Sequence, residues 1–215
     1  MPFAQRIESL YVCIPDLYTH HPTRVLTWTS LLLKLPNLMH ICISDNDPLS
    51  EGEQQESFQA LMSLPRLWNI RMDWKLNKQL LGTKLPDSRR LTHFTLSHLP
   101  DLESLATFTR LTHLLILIAG DMWTGTLWVA VNRILDTIKT LKVLVLSDKY
   151  KVVASRIDFS SKDPRVVCQF RPTWSALADA KDWEKFTKGD VDCVWAQAET
   201  IVEERLNNLG RGELL

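Results

Sequence analysis

The 215-residue chain is poor in glycine, with 7 in all, and none of these falls in a GxGxxG or GK[ST] arrangement. The usual backbone cradle for phosphates is therefore missing, and nucleotide binding is not expected. Charge of one sign is also lacking, because 25 Lys and Arg balance 25 Asp and Glu. No long-range field gathers nucleic acid or an anionic membrane surface. Cys13, Cys42, Cys168 and Cys193 form no CxxC pair, and no Asn-x-Ser/Thr site occurs. Four reduced, mostly structural thiols are expected. The start, MPFAQRIESL, has no apolar run of signal-peptide length, which points to the cytoplasm or nucleus. The longest apolar stretch, Leu111 to Val131, is broken by Gly120, Asp121 and Gly125, so a strand, a turn and a helix are expected there rather than a membrane span.

What is abundant is leucine, 35 residues, of which 30 precede Ser147. They follow one template, LxxLxL. It recurs as Ile7, Leu10, Val12; Leu38, Ile41, Ile43; Leu67, Ile70, Met72; Leu91, Phe94, Leu96; Leu111, Leu114, Ile116; and Leu141, Leu144, Leu146. The starts are separated by 31, 29, 24, 20 and 30 residues, which suits a leucine-rich repeat with irregular inserts. Within each template the last two apolar positions alternate with other residues, as a strand with one buried face requires. Segments with helical spacing lie between them, at Val25 to Leu35, Ser57 to Leu64, Leu102 to Phe108 and Leu127 to Ile138. Ser50 with Glu53 makes an S-x-x-E capping box, and Pro36 and Pro65 stop helices just before the next strand. Repeated strand and helix units coil right-handed and lay successive strands parallel. The expected fold is α/β: a leucine-rich-repeat-like right-handed solenoid over residues 1–170, with one curved parallel sheet backed by helices. Residues 171–215 then form a tryptophan-bearing segment and a C-terminal capping helix.

The phrases LPNLMHICI, LPRLWNIRM, RRLTHFTLSHLPDLESL, TRLTHLLIL and TLKVLVLSD resemble the degenerate leucine-rich repeats of basidiomycete F-box-type proteins. The tail is similar too: a DPRVV strand at Asp163 to Val167, a tryptophan-bearing stretch at Asp182 to Glu184 and a final helix from Val191 to Arg205. The resemblance implies substrate recognition for a ubiquitin ligase. The F-box that usually opens that family has no counterpart before Ile7, so ligase subunits would be reached through an upstream segment.

Alignment of the templates sorts their intervening residues into columns. The third position reads Ser9, His40, Asn69, His93, His113 and Val143, and the fifth reads Tyr11, Cys42, Arg71, Thr95, Leu115 and Val145. Both columns should point to the concave, solvent-facing side. Tyr11, His40, Asn69, Arg71, His93, Thr95 and His113 are thus the candidate protein-binding residues, and another protein on that face is the expected partner. A flat column spreads its histidines, so neither a metal site nor a cofactor is expected. Trp68 and Trp74 flank the third strand, either packed on a neighbouring element or acting as binding anchors. The basic loop with Lys75, Lys78, Lys84, Arg89 and Arg90 has no aromatic ladder beyond Trp74, and nucleic acid is not an expected partner.

An enzyme reading rests on acids at strand ends, Asp45, Asp73 and Asp148, which could hold Mg²⁺ for phosphoryl transfer. Asp45 and Asp73 fall on neighbouring strands. Asp148 falls four strands from Asp45, about 19 Å at ordinary strand spacing, and the triad is broken. No GxSxG or HExxH motif is present. A non-enzymatic binding module is the leading expectation, and a Mg²⁺-dependent phosphotransferase using Asp45 and Asp73 is the alternative. Leucine thins after Ser147, and Val191, Val194, Trp195, Ala198, Ile201, Val202 and Leu206 make one apolar stripe behind Asp190 as N-cap. That helix is expected to cover the open end of the array.

Overall fold

The computed structural model describes residues 7–14, 30–45, 51–72, 90–118, 124–148, 163–170 and 176–212. Seven strands form one sheet: β1 (Ser9–Ile14), β2 (His40–Asp45), β3 (Asn69–Met72), β4 (His93–Leu96), β5 (His113–Ile118), β6 (Val143–Asp148) and β7 (Val166–Phe170). All pairs are parallel, and the order in the sheet is the order in the chain. The helices are α1 (Glu51–Ser63), α2 (Leu102–Leu105), α3 (Thr124–Thr137), α4 (Ala176–Thr187) and α5 (Val194–Gly212), and residues 30–32 are helical as well. Six of the strands fall on the six templates, and the seventh starts one residue after Arg165. Asp73, Trp74 and the basic loop as far as Arg89 lie outside the described residues, whereas its last cation, Arg90, is exposed and donates to Pro65 O.

The register runs straight across the sheet. Leu10, Ile41, Ile70, Phe94, Leu114, Leu144 and Val166 form one row, and Ile43, Met72, Leu96 and Ile116 share another. The reason is a corner used again and again. Leu35-Pro-Asn-Leu38, Leu64-Pro-Arg-Leu67, Phe108-Thr-Arg-Leu111 and Ile138-Lys-Thr-Leu141 each bury their first and last side chains. The last residue's N–H donates to the first residue's carbonyl at Leu38, Leu111 and Leu141, each at 3.1 Å. Just beyond, one carbonyl accepts from two consecutive N–H groups of the next unit. Glu8, Met39, Trp68, Thr92 and Thr112 are the five acceptors. Both lone pairs of each carbonyl are used, which fixes where every following strand begins.

The template side chains point to one face and build the larger core. Phe58 and Leu61 of α1, Leu105 of α2 and Val131, Ile134 and Leu135 of α3 meet Ile41, Ile70, Phe94, Leu114 and Leu144 there. Phe94 sits at its centre, with Phe108 edge-on at 5.4 Å and Phe58 stacked at 6.5 Å. Helix α2 is a single turn, capped where Asp101 Oδ2 accepts from Ser104 N at 3.2 Å.

The opposite face is covered too, and this corrects the expectation of an open concave side. Leu115, Leu117, Val143, Val145 and Val167 bury against Cys193, Val194, Trp195, Ala198 and Val202. Helix α5 therefore lies across β6 and β7 on the second face instead of closing the end of the array, while α4 reaches β1 and β2. The stripe foreseen for that helix is buried at Val194, Trp195, Ala198 and Val202, whereas its two ends, Val191 and Leu206, stay exposed. The helix starts at Val194, three residues later than expected, because Asp190 accepts from Asp192 N in a local turn. Its first turn is capped by Asp182 of α4, whose Oδ1 accepts from Val194 N, and by Cys193 Sγ, which accepts from Ala196 N. Between the two helices Gly189 takes φ 69°, the left-handed conformation that lets Asp190 N donate back to Lys185 O at 2.9 Å.

Candidate functional site

The two columns foreseen from the templates are real rows of the sheet. Ser9, His40, Asn69, His93, His113 and Val143 are paired in order, as are Tyr11, Cys42, Arg71, Thr95, Leu115 and Val145. Their exposure is not what an open face would give. His40, Asn69, Arg71, Thr95 and His113 are buried, and Tyr11 and His93 are half-buried. The cause is the C-terminal pair of helices, which lays aromatic rings over the row. Phe186 of α4 stands 5.5 Å from His40 and 5.7 Å from His93, and Trp195 of α5 stands 5.4 Å from His93 and 5.6 Å from His113. Trp68 closes the gap edge-on, 4.4 Å from His40 and 5.1 Å from His93. It packs instead of standing as an exposed anchor.

The sheet brings His93 and His113 together as stacked rings, with centroids 4.1 Å apart and planes 4° from parallel. Each is held by the threonine before it: Thr92 Oγ1 lies 3.0 Å from His93 Nδ1, and Thr112 Oγ1 lies 2.9 Å from His113 Nδ1. The same threonines reach the preceding unit, Thr112 Oγ1 donating to Thr92 O at 3.2 Å. A Leu-Thr-His phrase repeated at 91–93 and 111–113 thus ties ring orientation to the corner of the fold. His40 is two strands from His93 and meets aromatic rings instead of a second imidazole. Among the described residues, no three His, Cys, Asp or Glu side chains gather as metal ligands would.

Burial pushes the His40 imidazole down to about 4. His93 is pushed down to about 3, first by burial and then by the neighbouring imidazoles of His113 and His40. His113 is also held below the ordinary histidine range, mainly by burial, with Glu199 pulling it back up and Lys142 adding to the depression. His40 and His93 are therefore neutral at pH 7, and burial biases His113 the same way. Asn69, between His40 and His93, is 1% exposed, and among the described residues neither its Oδ1 nor its Nδ2 has a hydrogen-bond partner.

One end of the row opens into a cavity of about 560 Å³ between α5 and the starts of β6 and β7. His113 forms its inner wall, Leu141, Val143, Val202 and Leu206 give it an apolar lining, and Lys142, Arg165, Glu199 and Glu203 bring charge to it. Glu199 Oε1 lies 2.8 Å from His113 Nε2 but off the direction of an Nε2–H bond, so the pair is close without an aligned hydrogen bond. Arg165 is engaged elsewhere: its Nε and Nη2 donate to Asp163 at 2.9 and 2.7 Å, and Nη1 reaches Leu141 O at 3.4 Å. Burial alone would raise the Asp163 carboxyl, and the Arg165 hydrogen bonds and charge outweigh it, holding the group below the usual range. Arg205 ties α5 to β7, its Nη1 donating to Val166 O at 2.6 Å.

Of the residues foreseen as a binding face, only His113 reaches this cavity. Glu199, Arg165 and Lys142 were not foreseen, although the sequence carried a sign of Glu199: it lies one turn from Trp195 and from Val202 on the edge of the apolar stripe. The strand-end acids do not assemble among the described residues, since Asp45 ends β2 and Asp148 ends β6, four strands away, where it is buried. No helix among the described residues is long and apolar enough to cross a membrane. Comparison of the chain with protein-family models, with curated proteins and with solved structures finds no match.

Proposed function

We propose that the chain is a non-enzymatic recognition module, built as a leucine-rich-repeat-like right-handed solenoid, that binds a segment of another protein. The parallel sheet in chain order, its straight register and its repeated corner support the architecture. The observation that carries the function is the cavity beside α5, which combines an apolar lining with a few polar groups, as ligand sites generally do. Recognition moves there from the concave face, because α4 and α5 occupy the place a partner would take. A role in presenting substrates to a ubiquitin ligase follows from the resemblance of the repeats and the tail, and it is part of the proposal.

Selection from a random peptide library on the immobilised full chain tests this reading. Leu206 lines the cavity and is 49% exposed, so Leu206→Glu changes the groove at little expense to the core. A consensus enriched by the wild type and lost with Leu206→Glu is the expected result. No consensus, or one indifferent to Leu206, would refute it.

A further inference from the structure

The hydroxyl of Thr112 lies 3.2 Å from Thr92 O and 2.9 Å from His113 Nδ1, and when it donates to the carbonyl it accepts from His113 Nδ1–H. That tautomer leaves Nε2 as an acceptor, and it faces a second acceptor, Glu199 Oε1, only 2.8 Å away. His113 is 6% exposed, its Nε2 has no aligned partner and it lines the cavity. Two acceptors at this separation call for a positive donor between them. The surrounding charges agree. Arg165 is neutralised by Asp163, and the lining also holds Lys142 against two carboxylates, Glu199 and Glu203, so it carries one net negative charge with His113 neutral. A compact point charge suits one pair of converging acceptors better than the flat fork of a guanidinium, which matches a carboxylate in two parallel bonds. Beside the acceptors, Val143, Val202 and Leu206 offer a surface for a methylene chain.

We propose that the cavity takes a lysine side chain of the partner protein, its ammonium donating to His113 Nε2 and Glu199 and its stem lying on Val143, Val202 and Leu206. This inference rests on the recognition reading above and names what is recognised. Acetylating the lysine would remove both the charge and the donors, so the site would discriminate modified from unmodified partners.

The test is a titration of the full chain with the blocked peptide acetyl-Ala-Lys-Ala-amide, followed through the ring resonances of His113, which His113→Asn assigns by their disappearance. A saturable shift in the millimolar range is expected, weakened about ten-fold or more when the peptide lysine is Nε-acetylated or when the protein carries Glu199→Gln. Because Glu199 is about half exposed and Gln has its shape, the variant should fold, which far-UV circular dichroism checks. No saturable shift, or equal affinity for the acetylated peptide, would overturn the assignment. A library consensus that depends on the groove but lacks lysine would overturn this inference alone, whereas the absence of any groove-dependent consensus would overturn the recognition reading with it.

Discussion

Mild acid should destabilise this protein well before its carboxylates titrate. His40 and His93 are held at about 4 and about 3 in the folded chain, against 6.5 for a free imidazole. Between those values the unfolded chain binds protons that the folded one refuses, so stability is full above about pH 6.5 and falls as the pH drops. Each group costs about 1.4 kcal/mol per pH unit in that window. At pH 5 the loss is about 2 kcal/mol from each, and about 4 kcal/mol together, a large share of a typical stability of about 5–15 kcal/mol. His113 shifts in the same direction, tempered by Glu199 and reinforced by Lys142. The loss should level off near pH 3, when the folded rings protonate as well. Urea titrations at constant ionic strength would show it as a midpoint lowered by about 2 M between pH 7 and pH 5, for a slope of about 2 kcal/mol/M. The double variant His40→Asn with His93→Gln should flatten most of that dependence. A wild-type midpoint unchanged between pH 7 and pH 5, or a full dependence in the double variant, would show that the row is not buried under α4 and α5. The Asp163 carboxyl acts in a separate window, its contribution disappearing only as the pH falls through its own depressed value.

Other consequences of the covered face can be measured directly. Trp195 is 5% exposed among Leu115, Val145 and Val167, and Trp195→Ala should cost about 3–5 kcal/mol in urea unfolding; a loss below about 1 kcal/mol would mean that α5 is not seated on the sheet. Ending the chain after Asp190 should uncover Leu117, Val143 and Val145, giving a species that binds a hydrophobic dye and self-associates, and a well-behaved monomer would contradict the second core. Asn69→Leu should leave stability unchanged or raise it by about 1–3 kcal/mol, because it replaces two buried polar atoms that have no partner; a clear loss would refute that accounting.

Much of the sheet was legible because its rule is local. Period-2 alternation after a fixed leucine specifies which residues share a face, and the Pro-Asn, Pro-Arg, Thr-Arg and Lys-Thr turns set the starts of β2, β3, β5 and β6, so both columns could be aligned without coordinates. The covering of the second face had a local sign as well, in β5 and β6. Their sequences, HLLILI and VLVLSD, carry apolar residues at Leu115, Leu117, Val143 and Val145, on the side expected to face water, and a parallel strand buried on both faces reads as such a run. In β2 to β4 the same columns carry His40, Asn69, Arg71, His93 and Thr95, whose polarity points to water instead.

The cavity had no comparable sign. Glu199 and His113 belong to elements far apart in the chain, and nothing in either segment states that α5 crosses β6 and β7 at that height. An amphipathic stripe of Val194, Trp195, Ala198 and Val202 requires an apolar surface without naming which one, and the end of the array and the free face of the sheet would both satisfy it. The sequence by itself determined the strands, their order and the two faces, since those depend on neighbours along the chain and on a repeated corner. Only the tertiary structure decided that the polar row is enclosed and that its last histidine faces a carboxylate across a cavity, since that depends on where a helix with a satisfied stripe comes to rest.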